Sequence, residues 1–235
     1  MNLQRLLLHL LLVGSYSIVG AQESDNLSPE PDPVLHHNLK IFLDPKNREI
    51  SVEDTITLPE SYTTTVQQFM LNSNLTITDS SVDVSRLSNL GSNSSEGDDT
   101  AGALGASTTT YSIRNNRRSG QIRVVYKGSI YDLAEQNSEE YAQSFSETSG
   151  IIDELGVYLN YASAWVPLFG DSFITFEMEV EFADTASQWK AVSQGDRNGA
   201  NGWRSNDPME EIYLIAAEFT EYSVQADDVE VLAYL

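Results

Sequence analysis

The chain has 235 residues, 35 of them acidic and 13 basic, with a formal net charge of −22, 40% hydrophobic residues and no cysteine. Such a charge repels phosphate backbones and speaks against nucleic-acid binding. The missing thiols exclude disulfides, a thiolate nucleophile and cysteine-based zinc sites, while the length and apolar content suffice for one large domain with a real core.

Residues 1–21 have the pattern of a secretory signal peptide: Arg5 supplies the positive start, Leu6 to Val13 the apolar stretch, and Val19-Gly20-Ala21 the small-residue cleavage site. The apolar stretch falls far short of the ~20 residues that cross a bilayer. The expected address is therefore secreted or periplasmic, with no membrane span. Residues 22–35 place Pro29, Pro31 and Pro33 around Glu30 and Asp32 and form an expected linker.

The folded domain is expected over residues 36–235. Leu39, Ile41 and Leu43 alternate with Lys40, Phe42 and Asp44, then Pro45-Lys46-Asn47 makes a turn. The chain returns through Ile50, Val52, Ile56 and Leu58, separated by Ser51, Glu53, Thr55 and Thr57, which predicts a hairpin. Asp54 breaks that alternation and is expected to mark a bulge. Val66–Leu71 and Leu75–Ile77 are two shorter strands.

Residues 85–110, dense in Ser, Gly, Thr and Asn, have the composition of a flexible surface insertion. Tyr111–Ile113 and Gln121–Lys127 resume strand structure around a turn at Asn115 to Gly120, with Ile122, Val124 and Tyr126 sharing a face. Ser138–Phe145 fits either a short helix capped by Ser138 or a loop.

The clearest strand is Phe173–Phe182: Ile174, Phe176, Met178, Val180 and Phe182 fall on one face, Thr175, Glu177, Glu179 and Glu181 on the other. Ile212–Phe219 is apolar on both faces, as a central strand would be, and Val229–Leu235 is the last strand. No helical period is sustained, so the fold class is all-β, multi-stranded and mostly antiparallel, with about ten to twelve strands.

Candidate sites are few. Beyond the leader the only histidines are His36 and His37; adjacent on a strand, they point to opposite faces and cannot share one metal ion. HExxH is absent, and a serine triad lacks both its base and a G-x-S-x-G elbow. Among 35 acids no pair of glycosidase carboxylates stands out. The stretch Asp196–Gly202 offers oxygen ligands and turn glycines, but Ala200 breaks the EF-hand spacing and a hairpin loop is expected. Trp165, Trp189, Trp203, Tyr158 and Tyr161 either stack on a ligand or pack in a core or interdomain face.

Four blocks recur in a telling order. Gly156-Val157-Tyr158-Leu159 leads to Trp165-Val166-Pro167. The strand Phe173–Phe182 is followed by Trp189-Lys190-Ala191-Val192-Ser193-Gln194-Gly195. Trp203 and Pro208 precede Ile212-Tyr213-Leu214-Ile215-Ala216-Ala217, and Val229–Leu235 closes the series. With the hairpin at His36–Leu58 and the strand at Gln121–Gly128, this order resembles the N-terminal β-domain of the M1 (aminopeptidase N-type) zinc metallopeptidases, in a divergent, bacterial-like form. Many members carry Ala-Arg-x-x-x-Pro-Cys-x-Asp; the segment Ala164 to Asp171 lacks the Arg and the Cys. The family's amine-holding Gln or Glu finds no match and is not carried over.

The resemblance implies a saddle-shaped β-domain that packs on an M1-type catalytic domain, in cis or in trans, narrows its cleft and helps seat a peptide substrate. The zinc ligands, catalytic glutamate and Gly-x-Met-Glu-Asn motif belong to that other domain. This chain is thus expected to hold no cofactor or metal, to supply no catalytic residue, and to be no enzyme by itself. Its interdomain or cleft-lining surface is expected as an apolar patch at Tyr158, Tyr161, Trp165 and Phe169. The alternative is a secreted β-sandwich that binds or adheres through surface aromatics, marked by an open aromatic platform. A complete hydrolase would instead show a cleft with two converging carboxylates of perturbed pKa.

Overall fold

Alternation in the first folded segment produces the expected hairpin, strands β1 (Val34–Asp44) and β2 (Glu49–Thr57) joined by a single 3-10 turn at Pro45–Asn47. Pro45 presets the backbone for that turn, Asp44 Oδ1 accepts from Asn47 N at 3.2 Å, and Arg48 closes it in the left-handed region at φ 58. The computed structural model describes residues 34–62, 66–87, 105–114, 120–133, 148–170, 172–227 and 229–235, all within the unit Asp32–Leu235. The expected leader, most of the linker, residues 88–104 of the expected insertion and the segment Ser138–Phe145 lie outside the described residues.

The remaining strands follow in order. They are β3 (Gln67–Asn72), β4 (Leu75–Ser80), β5 (Asp83–Arg86), β6 (Thr108–Arg114), β7 (Gln121–Gly128), β8 (Ile151–Asp153) and β9 (Gly156–Leu159). Then come β10 (Phe173–Phe182), β11 (Lys190–Val192), β12 (Asp196–Arg197), β13 (Gly202–Met209), β14 (Leu214–Ala217), β15 (Glu221–Ala226) and β16 (Val229–Tyr234). The sequence under-counts them because β5, β8, β11 and β12 are two to four residues long, too short to carry an alternation. Both ends of the segment 85–110 are strand rather than loop, since β5 reaches Arg86 and β6 starts at Thr108.

A seven-stranded sheet runs β12-β13-β10-β1-β2-β7-β4, and three smaller sheets run β11-β14-β9-β8, β3-β6-β5 and β15-β16. Among the described strands only the pair β1–β10 is parallel, with His37 opposite Phe176; β1 pairs β2 antiparallel on its other side. As expected, β10 buries one face, and β14 is central in its sheet. One hydrophobic cluster joins the inward residues of the large sheet (Leu39, Val52, Val124, Phe176) to those of the three-stranded (Phe69, Ile113) and four-stranded sheets (Val157, Leu214). This is a layered β architecture with the core between its sheets. Among the described residues no helix is long and apolar enough to cross a membrane.

Asp54 makes no bulge. The β1–β2 register runs unbroken through Leu39 and Asp54, and Asp54 is an inward residue with no exposure. Its reason is His37, also inward, whose Nδ1 lies 2.8 Å from Asp54 Oδ2.

Candidate functional site

A cavity of about 710 Å³ forms where three segments meet. Because β1 and β10 are parallel, their N-terminal ends lie side by side and line one wall with Leu35, His37, Phe173 and Ile174. The second wall follows β9. Asn160 caps a 3-10 turn at Tyr161–Ser163, its Oδ1 accepting from Ser163 N at 3.3 Å while Ser163 Oγ accepts from Asn160 N at 3.2 Å. The chain leaves this turn through Ala164, in the left-handed region at φ 47, and drives Trp165 into the core. There Trp165 Nε1 donates to Ile212 O at 3.0 Å. Leu168 exchanges both backbone hydrogen bonds with Met70, each 2.9 Å, which fixes Pro167 to Gly170 along the cavity edge.

The third wall is Glu210, Glu211 and Tyr213. Glu211 is held on both oxygens: Tyr161 N donates at 3.0 Å and Tyr213 OH at 2.6 Å. Gln194 buttresses the same wall from behind. Its Nε2 donates to Glu211 O at 2.6 Å and its Oε1 accepts from Tyr213 N at 2.9 Å. Gly195 lets the chain turn there at φ 84, where a Cβ would meet Arg204 O at 2.2 Å. Across the cavity, Ser172 Oγ donates to Phe169 O at 2.8 Å and meets Tyr62 OH at 2.7 Å.

At the base lies the His37–Asp54 pair, 1% and 0% exposed. Nearby on β7, Tyr126 is fully buried, and burial first, then the Asp54 charge, push its phenol well above the ordinary value. Asp54 Oδ1 and Tyr126 OH are buried without a hydrogen-bond partner. The sequence singled out His37 as half of an adjacent histidine pair and Asp54 as a bulge, but did not pair them, although both sit at inward positions of their strands: His37 keeps step with Leu35 and Leu39, Asp54 with Val52 and Ile56.

The expected surface residues part company. Tyr158 and Tyr161 are partly exposed and line the cavity. Phe169 lines it too, but is 4% exposed, its ring 5.3 Å from Phe69 and 6.5 Å from Tyr62. Trp165, 1% exposed, belongs to the core and cannot face a partner. Its indole N–H needs the Ile212 carbonyl, and burying both satisfies them together. An open apolar patch at Tyr158 to Phe169 is therefore not what the chain presents. Trp203 is buried with Nε1 on Ala191 O at 2.9 Å, and Trp189 lies 6.2 Å from the Phe182 ring, so none of the three tryptophans forms an open platform.

His36 and His37 do point to opposite sides: His36 Nδ1 meets Thr175 Oγ1 at 3.0 Å, and burial, then His37, lower its pKa. No group of three or more His, Cys, Asp or Glu converges among the described residues. The loop at Asp196–Gly202 is a hairpin turn, with Asn198 N donating to Gly202 O at 2.7 Å and Asn201 Oδ1 taken up by Ala191 N at 3.1 Å.

No protein-family model and no curated sequence matches the chain. Its fold does match solved structures. An aminopeptidase N family protein from Idiomarina loihiensis aligns with TM-score 0.51 and 12% identity, over 84% of this chain and 32% of that one. An M1 zinc metallopeptidase from Deinococcus radiodurans, bound to a Tyr-Ser-Ala substrate, aligns with TM-score 0.51 and 11% identity, over 86% of this chain and 47% of that one. Yeast LTA4 hydrolase in complex with bestatin gives 0.50 and 14%, over 84% and 32%. The likeness is one of fold, and the chain spans less than half the length of each of these structures.

Proposed function

We propose that this chain is a non-catalytic β-domain that forms one side of a substrate cleft completed by an M1-type metallopeptidase domain. The observation that carries this reading is the corner just described. It is a cavity of about 710 Å³ with tyrosines at its rim, walls fixed by hydrogen bonds, and no ligand set for a metal among the described residues. Such a corner can position a ligand; of its titratable lining, His37 is taken up by Asp54 and Glu211 by Tyr161 and Tyr213. The shared fold, in structures two to three times longer, supports a larger assembly around it.

In this reading Tyr158, Tyr161 and Phe169 restrict what enters the cleft, and Glu211, immobilised by Tyr161 and Tyr213, sets a fixed negative charge at its edge. Zinc and the reaction belong to the other domain. Delivery outside the cytoplasm by residues 1–21 is part of the same proposal, and N-terminal sequencing of the mature protein checks it.

The decisive experiment is kinetic. Purified chain, with zinc added, is expected to leave leucine p-nitroanilide intact. With its metallopeptidase domain present, Tyr161→Ala is expected to raise KM several-fold while kcat holds. Unaided hydrolysis by the chain would refute the reading, as would a Tyr161→Ala variant with unchanged KM.

A further inference from the structure

The turn between β12 and β13 reads Asn198-Gly199-Ala200-Asn201-Gly202, so both Asn-Gly pairs of the chain stand in a single hairpin. An Asn-Gly pair carries its own chemistry. The glycine nitrogen can attack the asparagine Cγ, because no Cβ on the glycine hinders the approach. Ring closure expels the carboxamide nitrogen as ammonia and leaves a succinimide. Water then opens the ring at either carbonyl, giving aspartate or isoaspartate. Asparagine, glycine and water suffice for this hydrolysis, with no enzyme, metal or oxidant.

The fold treats the two pairs differently. Asn198 and Gly199 are exposed. Gly199 sits at φ 92 with open space where a Cβ would stand, and its N–H donates to no group among the described residues. The Asn198 carboxamide has one exposed tie, Nδ2 to Glu177 Oε1 at 2.7 Å. Asn201 is held on two oxygens: its Oδ1 accepts from Ala191 N at 3.1 Å, and its backbone O accepts from Val180 N at 3.1 Å. Gly202 is buried in β13 opposite Glu179, and a Cβ there would meet Asn198 O at 1.8 Å and Met178 O at 3.3 Å. The Asn201 Cγ cannot swing onto the Gly202 nitrogen without tearing away its contacts to β10 and β11.

We propose that Asn198-Gly199 is a self-modification site, at which the folded chain converts Asn198 to aspartate and isoaspartate while Asn201 is spared. The product acts on its surroundings. A carboxylate at position 198 replaces the amide that now donates to Glu177, and sets two like charges together. Isoaspartate also routes the backbone through the side-chain methylene, which disturbs the bond from Asn198 N to Gly202 O that closes the turn. The preceding residue, Arg197, forks onto Glu221 of β15 at 2.9 and 2.8 Å and donates to Tyr234 OH of β16. Conversion at position 198 therefore weakens the hold on the β15–β16 ribbon.

Peptide mapping of the full chain, aged in mildly alkaline buffer both folded and in urea, tests this. Mass spectrometry reads the exchange of NH2 for OH at each asparagine, and electron-transfer fragmentation separates isoaspartate from aspartate. In urea both pairs should convert at similar rates. In the folded chain Asn198 should convert several-fold faster than Asn201. Asn198→Gln should abolish conversion at its position and, being an exposed turn substitution, should melt with wild type. In the converted chain, amide exchange should quicken in β15 and β16 and hold in β1. Equal conversion of the two pairs in the folded chain, faster conversion at Asn201, or an Asn198 that converts only in urea overturns the proposal. Conversion at Asn198 with unchanged exchange in β15 and β16 refutes its effect on the ribbon.

Discussion

The cavity corner and the β15–β16 ribbon treat the same kinds of residue in opposite ways. At the corner, apolar side chains turn inward and most of the polar groups around them have partners, Trp165 with Ile212 O, Glu211 with Tyr161 and Tyr213, His37 with Asp54, leaving Asp54 Oδ1 and Tyr126 OH as the exceptions. At the ribbon, one face is fastened at Glu221 and Tyr234 and the apolar face is bare. His37 and Asp54 sit on strands with the same period of two as the ribbon, so alternation did not make the difference. What differs is cover. The corner is closed by this chain's own sheets, and the apolar face of the ribbon is left exposed.

Breaking the corner should therefore cost far more than altering the ribbon. His37→Ala leaves Asp54 buried without its donor and is expected to lower unfolding free energy by about 3–5 kcal/mol. Replacing both members together, as in His37→Leu with Asp54→Leu, should recover most of that loss, because neither partner is then left buried without the other. Trp165→Ala, which also strands the Ile212 carbonyl, should cost a similar ~3–5 kcal/mol. Urea midpoints with unchanged slope measure all three variants. A loss below ~1 kcal/mol for either single change would mean the corner is not closed as described.

The ribbon gives the contrast. Val224→Thr with Val231→Thr is expected to shift the chain's stability by less than about 0.5 kcal/mol, since both are already wet. Arg197→Ala should leave the global midpoint nearly in place yet speed amide exchange across β15 and β16, which hang on that guanidinium. Exchange that rises equally in β1 and β10 would erase the distinction between the two regions.

The smallest effect is acid titration at the sheet surface. Hydrogen bonds from Arg123 hold the Glu53 and Asp79 carboxyls below their usual values of 4.5 and 3.8. A carboxyl depressed in the fold stabilises it above the unfolded value, and that contribution disappears as pH falls through the folded value. Stability should thus fall below about pH 4.5, more gently in Arg123→Gln and more gently still in 0.5 M salt. Equal slopes in wild type and variant would remove this bridge from the account.

Much of the fold was legible because alternation is a backbone property. The β1–β2 hairpin, the wet and dry faces of β10 and the central place of β14 follow directly from which residues are apolar. Partnership across the fold is not written that way. Asp54 suggests a bulge only if an acid must face water; its inward phase, shared with Val52 and Ile56, is the real signal, and His37 carries the same one on β1. Trp165 suggests a surface anchor because its carbonyl acceptor lies 47 residues away, on a segment that alternation cannot place against it. The ribbon fails for the complementary reason: a face of alternating valines looks interior, and only the three-dimensional neighbours reveal that it is exposed among the described residues.

The parallel pairing of β1 with β10 has a consequence for synthesis. His36 on the first strand meets Thr175 on its neighbour across 139 residues. A ribosome adding roughly 5–20 residues per second keeps β1 waiting on the order of ten seconds for that neighbour. During that time β1 can zip to β2 as soon as the hairpin emerges, while its other margin stays open to any passing strand. The nascent chain is at its most vulnerable to misassembly in that interval, and a holdase that shields β1 would be of most use then.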